Sequence, residues 1–207
     1  ISTGNYKKAI FHLSNAVTID NNNLIAYSNL GTAHFHLEQF DQAIHYLKCA
    51  VSINPQYTPA LNSLGLVYLE KGDYANGEKY FLEAIDRGPK FLEPRNNLGI
   101  IYEKQNKYYH AETLYLDNLS VNPNHYQSLY SLLGLYIREN RKEKIVELVR
   151  RIVTTNRDAE ALLRFASTLA ENNYSEIAIT LLTQAIHLDS QCKTAFVLLG
   201  NIYGNYQ

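Results

Sequence analysis

The side chains that could do chemistry are scattered along this chain and do not form a catalytic pattern. His34 and His36 are two residues apart, so on a helix they lie on different faces and cannot chelate one metal ion as an i, i+4 pair can. The sequence contains no glycine-rich phosphate loop, no CxxC pair and no GxSxG motif. We therefore expect a protein without a catalytic centre, a cofactor or a metal site.

Small polar side chains, in contrast, return at regular intervals. Asn29, Ser63, Asn97 and Ser131 stand 34 residues apart. An asparagine side chain carries a donor group and an acceptor, so it can match both sides of a peptide amide, and serine does the same more weakly. A row of such residues could hold an extended chain with little sequence preference, provided that the fold places them side by side.

The elements that would position this row repeat with the same period. Each of four residue types recurs every 34 residues: an aromatic residue, a small residue three places later, an early glycine and a closing proline. The sets are Tyr6, Phe40, Tyr74 and Tyr108; Ala9, Ala43, Gly77 and Ala111; Gly31, Gly65 and Gly99; Pro55, Pro89 and Pro123. A fixed period of this size predicts a stacked array of identical units.

Each unit contains two helix-forming stripes with spacing i, i+3, i+4 and i+7, or close to it. In the first complete unit they are Tyr27, Leu30, Gly31 and His34, then Phe40, Ala43, Leu47 and Ala50. Glycine and alanine at fixed stripe positions let two backbones approach closely, while larger side chains fill the gaps. A unit is therefore expected to be an antiparallel helix pair that must stack on its neighbours to bury both faces.

This pattern resembles the tetratricopeptide repeat family along essentially the whole chain. The second complete unit repeats it as Leu61, Leu64, Gly65, Tyr68, Tyr74, Gly77, Phe81, Ala84 and Pro89. The resemblance implies an all-α fold, a right-handed superhelical solenoid of stacked antiparallel helix pairs. It also implies a concave groove, lined by the first helices, where partners lie.

The predicted organisation is a single array over residues 1–207. It has a half-unit with only a second helix (1–23), three full repeats (24–57, 58–91 and 92–125), a degenerate repeat (126–158), a full repeat (159–192) and a half-unit with only a first helix (193–207). The half-units at both ends lead us to expect a fragment of a longer protein, or an array whose ends pair end to end with another copy.

The fourth repeat departs from the pattern at its close-contact positions. Leu133 stands where glycine is expected, and Ile145 and Ile152 replace small residues. Larger side chains at these positions should widen or tilt this helix pair, with a local bend in the array.

Composition limits the classes of partner and compartment. The formal net charge is −1, which gives no electrostatic reason to expect nucleic acid or an anionic membrane as a partner. No apolar run approaches the ~18 residues of a membrane span, so membrane insertion is not expected. The two cysteines, Cys49 and Cys192, are expected to be free thiols. The compartment stays unknown, with the cytoplasm favoured for a soluble chain.

Within the resemblance, one face of the first helices supplies the candidate partner-binding residues. Counting each repeat from Leu24, Thr58, Leu92 or Tyr126, position 6 and position 13 lie opposite the packing stripe, and position 5 flanks them. The predicted groove residues are Asn29, His36, Asn62, Ser63, Glu70, Asn96, Asn97, Lys104, Ser131 and Arg138. They could also be ordinary solvated surface residues, since the chain is rich in asparagine throughout.

Two known groove types resemble parts of this set. The polar row is similar to the asparagine ladder in the repeat region of O-linked N-acetylglucosamine transferases, although serines alternate with asparagines here. A carboxylate clamp, as in co-chaperones, needs lysine and asparagine around one carboxylate, but Glu70 and Glu93 stand near Lys104 and Arg138.

The sequence thus predicts a non-catalytic scaffold or adaptor that holds an extended segment of a partner protein in its groove. One alternative is a recruiting or regulatory region of a larger enzyme such as a glycosyltransferase. Another alternative is a self-assembling array.

Overall fold

A computed structural model describes residues 3–204 of the chain, and these residues form helices joined by short turns. The helices in this range are α1 (Thr3–Ile19), α2 (Leu24–His36), α3 (Phe40–Ile53), α4 (Thr58–Glu70), α5 (Tyr74–Arg87), α6 (Glu93–Lys104), α7 (Tyr108–Val121), α8 (Tyr126–Arg138), α9 (Lys142–Thr155), α10 (Ala159–Glu171), α11 (Ser175–Leu188) and α12 (Lys193–Gly204). The described part of the chain contains no strand. The fold is an all-α helical-repeat solenoid, as the sequence pattern predicted.

The turn inside each helix pair has the same backbone conformation. One residue there adopts a left-handed conformation with φ between 52° and 74°: Glu38, Gly72, Asn106, Asn140 and Asn173. The next residue then donates its backbone N–H to a carbonyl five residues earlier, as Asp73 does to Tyr68 at 2.9 Å. This is the arrangement that ends a helix by satisfying its last carbonyl groups. It reverses the chain within three residues and so makes each pair antiparallel.

The chain divides into two compact units, with the boundary between Leu114 and Tyr115 inside α7. In the first unit, the core between α3 and α4 is a cluster of buried aliphatic residues: Ala43, Leu47, Ala50, Ala60, Leu64 and Val67. A second cluster of Phe81, Leu98 and Ile101 joins α5 to α6. Both clusters connect one helix pair to the next, so the pairs of this unit are stacked, as repeat architecture requires.

Gly31 and Gly65 of the first unit lie where two helices touch. A Cβ atom added to Gly31 would come within 2.7 Å of Leu47 Cδ2, and one added to Gly65 within 2.5 Å of Phe81 Cδ1. Real Cβ atoms do not approach other atoms that closely. The expectation that these glycines allow close packing of the two helices is confirmed for Gly31 and Gly65.

The second unit contains the degenerate pair, α8 and α9. Leu133, Ile145 and Ile152, which replace the small residues of other repeats, are all fully buried. Large side chains therefore fill the core of this pair, at positions where other repeats carry small residues. The widening or tilt of the pair and the local bend in the array stay predictions.

Candidate functional site

The predicted groove residues come from four first helices, each of which presents the same positions. In the first unit, α2 supplies Asn29 and His36, α4 supplies Asn62, Ser63 and Glu70, and α6 supplies Asn96, Asn97 and Lys104; in the second unit, α8 supplies Ser131 and Arg138. The packing stripe of each helix is buried, which fixes the rotation of the helix about its axis and hence the direction of these side chains.

One contact within this set joins two asparagines of neighbouring repeats. Asn97 Nδ2 in α6 donates a hydrogen bond of 2.9 Å to Asn62 Oδ1 in α4. Position 6 of one repeat therefore meets position 5 of the repeat before it. The bond orients both amides, and it leaves the Asn97 Oδ1 atom as an acceptor and the Asn62 NH₂ group as a donor.

The structure gives the other polar residues of the row different degrees of exposure. Asn29 is exposed and Ser63 is half-buried. Asn96, which the sequence placed beside the row, is only 4% exposed, and Asn62 is 9% exposed. These two side chains lie mostly between helices, so what they can offer a partner is limited to the atoms at the helix surface.

The charged and ionisable members of the set lie at the other end of the first helices. Glu70, Lys104 and His36 are exposed. The His36 ring is stacked on Tyr6 of α1, with ring centroids 4.6 Å apart and an interplanar angle of 19°. His36 therefore has a structural contact in addition to any contact with a partner, whereas Glu70 and Lys104 extend into solvent.

A tyrosine–carboxylate pair ties the third repeat of this unit to the second. Tyr102 in α6 donates a hydrogen bond of 2.9 Å from its hydroxyl to Glu78 Oε1 in α5. Burial, together with this bond to a carboxylate, raises the pKa of Tyr102 to about 12. The bond holds α6, and with it Asn96 and Asn97, against the preceding pair.

In the second unit, Ser131 is half-buried and Arg138 is exposed. Two further residues of α8 stand out beside them. Tyr130 is 44% exposed, and Gly134 has open space where a side chain would project. The signal was present in the sequence, because glycine precedes Thr32, Leu66 and Ile100 in the other repeats but follows Leu133 in this one.

Other kinds of site receive little support from the described residues. Residues 3–204 contain no group of three or more histidine, cysteine, aspartate or glutamate side chains placed to hold a metal ion. Cys49 and Cys192 are free thiols. Within the same range, no helix is both long and apolar enough to cross a membrane.

Comparison with known families explains the repeated architecture. Models of the tetratricopeptide repeat match residues 25–57 and residues 58–91, which contain α2 to α5. Residues 25–91 are therefore identified as tetratricopeptide repeats. A comparison with curated proteins gives no match.

Solved structures share this repeat fold at low sequence identity. PilW, a type IV pilus biogenesis factor, superposes with a TM-score of 0.69 at 18% identity, covering 94% of this chain and 90% of PilW. YrrB, described as a TPR protein with an unusual peptide-binding site, has a TM-score of 0.57 at 17% identity, covering 89% and 95%. MamA has a TM-score of 0.56 at 15% identity, covering 91% of both chains.

At these identities the similarity establishes the fold alone. A tetratricopeptide repeat fold supports a protein-interaction scaffold, because stacked helix pairs create extended surfaces that bind other chains.

Proposed function

We propose that this protein is a non-catalytic scaffold that binds an extended segment of a partner protein along the first helices of its repeats. The observation that carries the proposal is the hydrogen bond between Asn97 and Asn62, which joins the polar rows of two neighbouring repeats. A bound segment would meet one acceptor and one donor held in a fixed relation, which is the complement of a peptide N–H and C=O.

Several further features support an extended, main-chain-directed partner. Asn29 and Ser63 continue the polar row on α2 and α4, and both have accessible side chains. The exposed charges of the first unit, Glu70 and Lys104, have opposite signs, which gives no strong preference for a charged partner. YrrB, a relative by fold, is described as having a peptide-binding site, and we extend peptide binding to this chain.

The test uses peptides selected from a random 12-residue library displayed on phage, with the whole chain as the target. Synthetic copies of the enriched peptides are then measured by fluorescence anisotropy against the wild type and against Asn97→Ala combined with Lys104→Ala. We expect this pair of changes to weaken binding about tenfold or more, because both side chains would touch the segment.

A matched control removes exposed polar side chains from second helices, with Ser52→Ala in α3 and Thr113→Ala in α7. This control should leave the affinity unchanged. Equal affinity for wild type and for the Asn97→Ala, Lys104→Ala protein would contradict the proposed groove. Melting curves of all proteins separate loss of binding from loss of folding.

A second candidate is end-to-end self-association, which the last described helix favours. Phe196 and Tyr203 of α12 are 53% and 57% exposed, although they occupy the positions of Leu61 and Tyr68 on the packing stripe of α4. Such an exposed apolar stripe is a candidate interface. Light scattering should then show a mass that rises with protein concentration, and Phe196→Asp should restore the monomer. A monomer at every concentration would exclude this candidate.

A further inference from the structure

A cavity of about 110 Å³ lies among α7, α8 and α9 of the second unit. Each helix lines it with residues three or four positions apart, so one face of each helix borders the cavity. The inner wall consists of side chains that are at most 5% exposed: Leu119, Leu132, Tyr136 and Leu148. This wall is therefore part of the core of the unit.

The cavity reaches the protein surface, because other residues that line it are accessible. Leu116 of α7 is 41% exposed, and the side chain of Glu147 in α9 is 75% exposed. A ligand can therefore enter from solvent. The volume suits a small aliphatic group, since an apolar cavity of roughly 150 Å³ takes up benzene.

A guanidinium group is held in place at the rim of this cavity. Arg151 Nη2 donates a hydrogen bond of 2.8 Å to the backbone carbonyl of Leu119, near the end of α7. That carbonyl has no helical partner, because the residue four positions later is Pro123, which lacks an N–H group. The bond uses one of the five N–H donors of the arginine. Within residues 3–204, no carboxylate lies within 4.0 Å of Arg151, so its charge has no counter-ion there.

The other charged residues that line the cavity form an ion pair with each other. Lys144 Nζ and Glu147 Oε2 in α9 lie 3.5 Å apart. Their charges offset one another, which leaves the positive charge of Arg151 as the net charge of the lining. An apolar cavity beside a fixed cation is complementary to a ligand that has an aliphatic group and carries a negative charge at one end.

We propose that this cavity binds a small aliphatic carboxylate, with a branched chain of about four or five carbon atoms inside and the carboxylate on Arg151. Leucine side chains surround the alkyl group, and an arginine pairs with a carboxylate through parallel N–H···O bonds. The ligand is a free acid or the last residue of a peptide, since both present the same chemistry. None of the predicted groove residues lines this site, so it does not depend on the scaffold function.

The test titrates 3-methylbutanoate into the whole chain while the ¹³C-labelled methyl groups of its leucines are observed by NMR. We expect saturable shifts of the Leu132 and Leu148 signals, with a Kd on the order of 1 mM. The uncharged 3-methylbutanamide, which has nearly the same shape, should bind about fivefold more weakly or worse. The absence of a saturable shift up to about 20 mM acid would overturn the site. Equal affinities for acid and amide would overturn the carboxylate on Arg151.

Two matched pairs of variants locate the ligand. Arg151→Gln should weaken the acid about as much as the change to the amide does, whereas Arg150→Gln removes an exposed arginine outside the cavity and should have no effect. Leu148→Phe fills the cavity and should abolish the shifts, while the half-exposed Leu82→Phe in α5 should not. Melting curves show which variants fold. A folded Leu148→Phe protein with unchanged affinity would overturn the cavity; the comparison of acid and amide needs only the wild type.

A peptide distinguishes the two sources of the carboxylate. Gly-Gly-Leu with a free C-terminus is titrated beside the same peptide with a C-terminal amide. Tighter binding of the free peptide than of 3-methylbutanoate would support the site and assign it to the C-terminus of a partner chain. Weaker binding would support the site and assign it to a free acid. Equal binding of the free and amidated peptides would overturn the carboxylate on Arg151 for a chain end.

Discussion

The helix pairs α4–α5 and α8–α9 differ in the residue that lies at the contact between their two helices, which is glycine in the first pair and leucine in the second. In α4, Gly65 lies directly against the Phe81 ring of α5, and Leu66 packs against the buried cluster of Phe81, Leu98 and Ile101. In α8 the order is reversed, since Leu133 fills the core and Gly134 faces open space. The glycine of α8 stands one position later than the glycine of α4. It therefore lies outside the contact between the two helices of its pair, whereas Gly65 lies within that contact. The core of α8 and α9 is therefore filled although its glycine lies outside it.

The largest effect is expected from truncating the core of the tighter pair. Leu64 and Leu132 occupy the same stripe position and are both fully buried, but Leu132 borders an existing cavity of about 110 Å³ that Leu64 does not line. Leu64→Ala should reduce the free energy of unfolding by ~2–5 kcal/mol, with Leu132→Ala nearer the lower end of that range. Urea unfolding measures both, with the half-exposed Leu82→Ala as the control. An equal loss for Leu64→Ala and Leu82→Ala would mean that the packing stripe is assigned to the wrong face.

A larger side chain at residue 65 tests the close contact between α4 and α5 directly. Even the methyl group of Gly65→Ala would collide with the Phe81 ring, and Gly65→Leu would add more volume at the same point. Overpacking of this kind costs about 1–3 kcal/mol for the smaller change, and more for leucine. Thermal unfolding followed by circular dichroism gives the measurement. Unchanged melting of Gly65→Leu would show that α4 and α5 are not in tight contact.

The same change at Gly134 should have the opposite sign. Gly134→Ala places a methyl group in open space in the interior of α8, where glycine is a poor helix former. We expect the free energy of unfolding to rise by roughly 0.5–1 kcal/mol. The two glycine variants, measured side by side, sharpen the comparison. Destabilisation of both would contradict the assignment of Gly134 to the outer face.

The smallest effect concerns the tyrosine that ties α6 to α5. The ordinary pKa of a tyrosine is near 10, and the folded state raises that of Tyr102 to about 12. The folded state therefore keeps a proton that the unfolded state loses. The stabilising contribution of Tyr102 is fully present below about pH 10 and is lost as the pH rises through about 12. The wild type should lose stability more steeply over this range than Tyr102→Phe; parallel pH profiles would contradict the bond to Glu78.

Much of the fold could be predicted from the sequence, because the same pattern of buried positions recurs in several repeats. The stripe of Leu30 and Gly31 predicts a helix face on its own, and the same face returns at Leu64 and Gly65 with identical spacing. The replacements at Leu133 and Ile145 likewise predict a different packing of α8 on α9, and both side chains are buried. The distance between two packed helices depends on the volumes of the side chains at their contact. These volumes can be read from the sequence once the buried positions are known.

The candidate site was less predictable, because exposure depends on neighbours that are distant in sequence. Asn62 and Asn96 share a helix position with Tyr130, yet the first two are buried and Tyr130 is not. The Tyr130 side chain contacts Phe165 and Thr168 of the next repeat, which lie more than 30 residues later in the sequence. Periodicity defines a face of the helix but not which of its atoms remain accessible.

The sequence by itself determined the period, the helix pairs, the buried stripe and the absence of familiar catalytic motifs, because these depend on residue type and spacing along one chain. Only the tertiary structure decided that Asn97 meets Asn62 and that Tyr102 meets Glu78. Each of these contacts depends on how one helix pair is placed against the next. That placement results from the combined volumes of many buried side chains, which no single repeat contains.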